Sequence, residues 1–150
     1  LVTRQDTGEL LTECKTEITV IDLKTRKLVR PGMVPEFSVF LYNDAEQNGC
    51  DYPQKLLLPS EFDRVFERKI TEKDIDVNHH VNNTVYADML TQGMGDDYLK
   101  INPTAFEINY AHEVLPYETI KIGITSDETS STVVGNVEER HCFTAKITYN

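Results

Sequence analysis

The second half of the chain alternates apolar and polar residues regularly, around one stretch with helical spacing. Period-two alternation predicts strands over residues 65–71, 105–112, 118–125, 132–139 and 142–149. Between the first two strands, apolar residues recur at the spacing of an amphipathic helix: Val85, Tyr86, Met89, Leu90 and Met94. One strand, one helix and four successive strands predict an α+β fold, in which an antiparallel sheet wraps around a central helix.

The first 45 residues carry a weaker pattern. They predict a strand over 1–5, a turn at 6–9, a long alternating strand over 14–21 that completes a hairpin, and a short helix over 36–43. Residues 46–61 lack periodicity and contain Asn48-Gly49, Pro53 and Pro59, which is typical of a linker. Because a hairpin and a short helix cannot bury a core alone, we expect an incomplete domain at 1–45, a linker at 46–61 and a complete domain at 62–150.

Composition narrows the classes of function. The formal net charge of -10 argues against nucleic-acid binding, which needs a basic surface, and no apolar run is long enough to span a membrane. Three widely spaced cysteines without metal or redox spacing favour a reducing compartment, so we expect a cytoplasmic protein. Since the sequence starts with Leu1 rather than Met, we also expect a piece of a longer or processed protein.

The richest stretch of polar side chains is residues 74–86, which reads as a loop running into the helix. Asp76, Asn78 and His80 bring an acid, an amide and an imidazole to within a few residues of the helix start. Asn82 or Asn83 is predicted to cap that helix. Free amides and the macrodipole favour negative charge there, which suits a site that stabilises a developing oxyanion.

Two runs carry a more specific resemblance. The first is Asp76-Val77-Asn78-His79-His80-Val81-Asn82-Asn83 followed by Tyr86, and the second is Asn109-Tyr110-Ala111-His112-Glu113. Both resemble the acyl-acyl-carrier-protein (acyl-ACP) thioesterases of bacteria and plants, and Thr25-Arg26-Lys27 resembles the end of that family's first domain. The resemblance implies the hot-dog fold, with the second of two tandem hot-dog domains complete and only the tail of the first present.

The resemblance also implies roles in thioester hydrolysis. Glu113 would be the general base, Asn78 would hold the water or the carbonyl, His80 would donate or share a proton, and Asp76 would orient its neighbours. Where the plant enzymes have a cysteine this chain has Val114, which favours attack by water. The remaining candidates contact the substrate: Asn83 and Thr84 through helix-start amides, Tyr86, and Met89 in an acyl pocket or simply in the core.

One geometric question stays open at this point. Along the predicted strand, Glu113 shares its parity with Glu107 and Asn109, opposite Phe106 and Tyr110. Its side chain would therefore point away from the helix unless a bulge or the end of the strand re-aims it.

Other functions fit parts of the pattern. His79, His80 and His112 match no common zinc spacing, so we expect neither a metal nor a cofactor. The expected partner is acyl carrier protein with a fatty acyl chain. An acyl-CoA thioesterase of the same fold and a non-catalytic acyl-binding or assembly module are the alternatives. With most of its tandem domain missing, the chain is expected to form a homodimer.

Overall fold

The computed structural model describes residues 2–17, 19–22, 24–25, 27–36, 53–77 and 79–150. The chain divides into two compact units, Leu1–Gln54 and Lys55–Asn150. The predicted helix over 36–43 falls almost wholly outside the described residues, as does the first part of the predicted linker. The predicted domain limits therefore stay a prediction. No helix among the described residues has the length and apolarity to cross a membrane.

The first unit contains two small hairpins. Strands β1 (Val2–Thr3) and β2 (Leu10–Thr12) pair antiparallel, as do β3 (Val20–Ile21) and β4 (Leu28–Val29). The predicted long strand over 14–21 is wrong over its described part, because only Val20–Ile21 is extended and paired. The hairpin partner of β1 lies before the predicted strand. No described residue of this unit is fully buried, so alternation along 14–21 has no apolar face to pack against.

The second unit is a five-stranded sheet with one long helix. Its elements are β5 (Arg64–Lys69), α1 (Asn83–Met94), β6 (Pro103–Tyr110), β7 (Thr119–Ser126), β8 (Ser130–Val137) and β9 (Arg140–Tyr149), with short 3-10 turns at Glu72–Asp74 and Gly95–Lys100. The strand order is β5-β7-β8-β9-β6, and every neighbouring pair is antiparallel. The predicted α+β arrangement is confirmed.

The core lies between one face of the sheet and α1. The apolar faces of two strands are almost fully buried: Ile120, Ile122 and Ile124 on β7, and Phe143, Ala145 and Ile147 on β9. Gly93 brings α1 close to β7, because a Cβ at that position would overlap the Ile124 side chain. Close packing of the helix on the centre of the sheet leaves the first turn of α1 at the sheet's margin, beside the end of β6.

Residues 55–62, which include the last part of the predicted linker, follow the outer face of this sheet. The Leu56 amide donates to Asn109 Oδ1 over 2.7 Å, and the Phe62 ring lies over Gly123. Gly123 is suited to this position because any Cβ there would meet the ring. The segment therefore packs on the sheet and covers part of the face opposite α1.

Candidate active site

The loop that carries Asp76 and His80 is closed by a short backbone ladder. The Asp76 amide donates to the His80 carbonyl over 2.8 Å, and the Asn82 amide donates to the Asp74 carbonyl over 2.8 Å. The Asp76 carboxylate also accepts from the His80 amide at 3.3 Å. His79 takes up a left-handed conformation with φ 64° to make the turn. Asp76 thus orients the loop through the backbone of His80.

A buried carboxylate fixes the base of this loop. Asp74 is 8% exposed and accepts from Arg68 Nη2 at 2.6 Å and from the amide and hydroxyl of Thr71, each at 2.8 Å. Burial alone would raise the pKa of Asp74, but the hydrogen bonds from Thr71 and Arg68 outweigh it and lower the pKa. Asp74 is therefore held as a carboxylate that ties the loop to β5.

Helix α1 starts directly after the loop, with Asn82 as its cap. The Asn82 Oδ1 atom accepts from the Thr84 amide at 3.0 Å and from the Thr84 hydroxyl at 2.9 Å. Of the two predicted caps, the structure thus selects Asn82. Among the described residues the Asn83 amide has no hydrogen-bond acceptor, and it lies at the positive end of the helix.

The end of β6 settles the direction of Glu113. Regular strand pairing stops at Tyr110, and the amides of Ala111 and His112 both donate to the Cys142 carbonyl, at 2.8 and 3.1 Å. Two donors on one acceptor act as a bulge and shift the parity of the residues after it. Glu113 therefore turns toward the helix start, and its Oε2 lies 3.0 Å from His80 Nε2.

These two segments border a pocket of about 190 Å³. Its lining comes from the loop, the first helical turn and the end of β6: His80, Val81, Asn83, Tyr86, Tyr110, Ala111, His112 and Glu113. Tyr86 forms an aromatic wall, packing edge-on against Tyr110 and Phe143 at centroid distances of 5.2 and 5.0 Å. Burial raises the pKa of Tyr86 to about 12, so its hydroxyl is neutral at physiological pH.

The structure brings four of the eight predicted site residues into this pocket: His80, Glu113, Asn83 and Tyr86. Asp76 does not line the pocket, but its carboxylate accepts from the amide of His80, which does. Asn78 falls outside the described residues. Thr84 and Met89 are not part of the lining, because Thr84 is engaged by Asn82 and Met89 is fully buried in the core. Their predicted contacts with substrate stay predictions.

Four lining residues were absent from the predicted site: Val81 in the loop, and Tyr110, Ala111 and His112. The last three lie in the same run as Glu113. Their place next to Glu113 could be predicted from that run. Their place in the pocket lining depends on the bulge opposite Cys142, which the sequence does not show. Among the described residues, no three histidine, cysteine or carboxylate side chains are grouped to hold a metal ion.

Comparison with solved structures identifies the same fold in known thioesterases. An acyl-ACP thioesterase from Bacteroides thetaiotaomicron superposes with a TM-score of 0.72 at 20% identity, over 87% of this chain and 53% of that one. The 12:0-ACP thioesterase from Umbellularia californica gives 0.70 at 19% identity, over 87% and 52%. A Staphylococcus aureus protein solved with CoA gives 0.51 at 12% identity, over 57% and 73%.

These likenesses confirm the hot-dog fold. This chain spans about half the length of the two acyl-ACP enzymes, by coverages of 53% and 52%. Comparison with curated proteins gave no match. The family model of the acyl-ACP thioesterase C-terminal domain matches residues 60–148, which include the loop, the helix and all five strands of the second unit. The chain therefore belongs to the family of acyl-ACP thioesterase C-terminal domains.

Proposed function

We propose that the chain hydrolyses fatty acyl thioesters carried by acyl carrier protein, releasing a free fatty acid. The observation that carries this proposal is the 3.0 Å contact between His80 Nε2 and Glu113 Oε2 in a pocket beside the start of α1. Thioester hydrolysis needs an activated water and a stabilised oxyanion, which an acid–base pair and a helix N-terminus can supply.

The chemistry starts with a water molecule held next to Glu113. The Glu113 carboxylate takes a proton from that water, whose oxygen attacks the thioester carbonyl carbon. Negative charge then develops on the carbonyl oxygen, where the Asn83 amide and the helix dipole stabilise it. When the carbon–sulfur bond breaks, the proton returns from the Glu113–His80 pair to the thiolate. The proposed role of Asn78, holding the water or the carbonyl, belongs to the same step.

Water is the nucleophile in this scheme because the described part of the site offers no thiol. Val114 follows Glu113 and is fully buried. Cys142 is also buried, and desolvation raises the pKa of its thiol, which disfavours the reactive thiolate. A covalent acyl-enzyme at either position is therefore unsupported.

Acyl carrier protein is proposed as the carrier because of the family to which residues 60–148 belong. Fatty acid biosynthesis in the cytoplasm is the setting that this substrate implies. This chain spans about half the length of the solved relatives named for ACP substrates, so the proposal covers the chemistry that this domain contributes.

We further propose that two copies pair along β6. Among the described residues this strand has a neighbour on one side only, and its inward-facing Phe106 and Tyr110 are 47% and 49% exposed. A second copy would cover these rings and adjoin the pocket, which Tyr110 lines. Analytical ultracentrifugation should show a dimer for the wild type and a monomer for Phe106→Lys. A wild-type monomer at every concentration would contradict the pairing.

The activity is tested with purified protein and acyl-ACP, measuring free thiol. Glu113→Gln keeps the shape of the side chain but cannot act as a base, so kcat should fall by about 10²- to 10⁴-fold. The matched control is Glu107→Gln, which lies on β6 outside the pocket and should keep the wild-type kcat. Equal rates for Glu113→Gln and wild type would refute the assignment.

The same assay separates the alternatives. Faster turnover of acyl-CoA than of acyl-ACP would identify an acyl-CoA thioesterase. Acyl-dependent stabilisation against heat without thiol release would identify a binding module.

A further inference from the structure

The turn that follows Glu113 contains a strained residue. Leu115 to Glu118 form a tight turn, in which the Glu118 amide donates to the Leu115 carbonyl at 3.3 Å. Pro116 stands second and Tyr117 third, with φ 69°. This is the pattern of a type II turn, whose third position favours glycine. For a bulky residue, the left-handed conformation is unfavourable because Cβ lies too close to the following carbonyl oxygen.

The Tyr117 side chain makes a contact that glycine could not make. Its hydroxyl donates to Glu72 Oε1 over 2.9 Å. Glu72 opens the 3-10 turn Glu72–Asp74, directly before the loop that carries Asp76 and His80. The bond therefore joins the segment bearing Glu113 to the segment bearing His80.

Backbone and side-chain bonds hold the turn rigid on either side of this tether. The Ile70 amide donates to the Glu118 carbonyl over 2.9 Å. The Glu118 carboxylate accepts from the Leu115 amide at 2.8 Å and from Arg140 Nη2 at 2.6 Å. A displacement of Tyr117 would thus be passed through a stiff turn to the residues just before it, including Glu113.

We propose that Tyr117 is a positioning residue, which holds the Glu113 segment against the His80 loop by its strained turn and its hydroxyl bond to Glu72. The proposal rests on the proposed function, in which Glu113 and His80 act together. A residue kept in an unfavourable conformation beside a site is best explained by the geometry it enforces there. Because the Glu72 carboxylate raises the pKa of Tyr117, the phenol stays protonated as a donor.

This role predicts that stability and activity separate. Tyr117→Gly removes both the strain and the tether, so the melting temperature should stay level or rise while kcat falls about fivefold. Tyr117→Phe keeps the ring but removes the hydroxyl, and kcat should fall by a similar factor with KM within about twofold. If Tyr117 had only a structural role, these substitutions would instead lower the melting temperature and kcat together.

Matched variants identify the tether as the cause. Glu72→Gln keeps an acceptor oxygen and should retain the wild-type kcat, whereas Glu72→Ala should resemble Tyr117→Phe, with no further loss in the double variant. Tyr98→Phe removes a hydroxyl elsewhere, and Glu138→Gly relieves another left-handed residue, φ 53°. Both controls should keep the wild-type kcat.

The NMR signals of the His80 ring report the site without turnover. They should shift in Tyr117→Phe and Glu72→Ala and stay in place in Glu72→Gln and Tyr98→Phe. Wild-type kcat and unshifted His80 signals in Tyr117→Phe would overturn the proposal. If the wild type shows no hydrolysis, the proposed function fails, and the His80 signals still decide whether Tyr117 positions the two segments.

Discussion

The buried pair of Arg68 and Asp74 offers a sharp test of how the site is held. Asp74→Asn keeps the size of the side chain but removes its charge. The carboxylate accepts three hydrogen bonds, one from Arg68 and two from Thr71, at 2.6 to 2.8 Å. An asparagine offers a single acceptor oxygen, so its amide nitrogen must face a donor, and Arg68 loses its counter-charge.

The structure allows an estimate of the loss. The two side chains are 21% and 11% exposed, so the pair is largely desolvated. Breaking a buried pair by removing one partner costs about 3–5 kcal/mol, and partial exposure places Asp74→Asn near the lower end, about 3 kcal/mol. For a domain of this size, that lowers the melting temperature by about 12–24 °C.

The loss should also depend on pH with a defined sign. The folded pKa of Asp74 is lowered, so its carboxylate stabilises the fold above the unfolded pKa of about 3.9. This contribution disappears as the pH falls through the lower folded value. The difference in unfolding free energy between wild type and Asp74→Asn should therefore be greatest near pH 7 and shrink in acid.

Urea unfolding followed by circular dichroism at several pH values measures this difference. The exposed pair of Asp97 and Lys100 supplies the control, because solvent screens it and Asp97→Asn should leave the unfolding free energy close to that of the wild type. A loss below about 1 kcal/mol for Asp74→Asn at pH 7, or an equal loss at pH 7 and pH 3, would refute the reasoning.

Three further substitutions test other parts of the second unit, each by urea unfolding. Asn82→Ala removes the acceptor for the Thr84 amide and hydroxyl and should cost about 1 kcal/mol; no loss would show that the cap is dispensable. Gly135→Ala places a methyl group against the buried Phe143 ring, so a destabilisation of about 1–3 kcal/mol is expected, and unchanged stability would mean that the ring moves freely. Glu138→Gly relieves the left-handed residue between β8 and β9 and should stabilise by up to about 1 kcal/mol; a loss would indicate that the Glu138 side chain makes a stabilising contact.

The elements of the second unit were readable from the sequence because burial and pattern agree there. Ile120, Ile122 and Ile124 alternate, and all three lie in the core, so period-two spacing identified both the strand and its inward face. The helix start was equally clear, since Asn82 supplies the oxygen that the first turn needs. In the first unit, the described residues of the alternating stretch 14–21 include no buried position, and only Val20–Ile21 among them form a strand.

Glu113 marks the limit of such reasoning at the site. Strict alternation along the predicted strand points the Glu113 side chain away from the helix. From the sequence alone, a bulge or the end of the strand was only one way in which that direction could change. The re-aiming depends on the Cys142 carbonyl, which accepts from both Ala111 and His112. That acceptor belongs to a strand distant in sequence, and no local pattern near residue 113 reveals it. At Thr84 the same capping interaction that made the helix predictable works against the predicted role in substrate binding. The Asn82 side chain accepts from both the amide and the hydroxyl of Thr84.

The Cys142 carbonyl, with its two amide donors, has a consequence for biosynthesis. During synthesis, His80 and Glu113 are translated before Cys142. Until β9 pairs with β6, no acceptor holds Ala111 and His112, and Glu113 lacks the bend that brings it to His80. The nascent chain therefore cannot bring Glu113 to His80 until late in synthesis, and the proposed hydrolysis would begin only once β9 has joined the sheet.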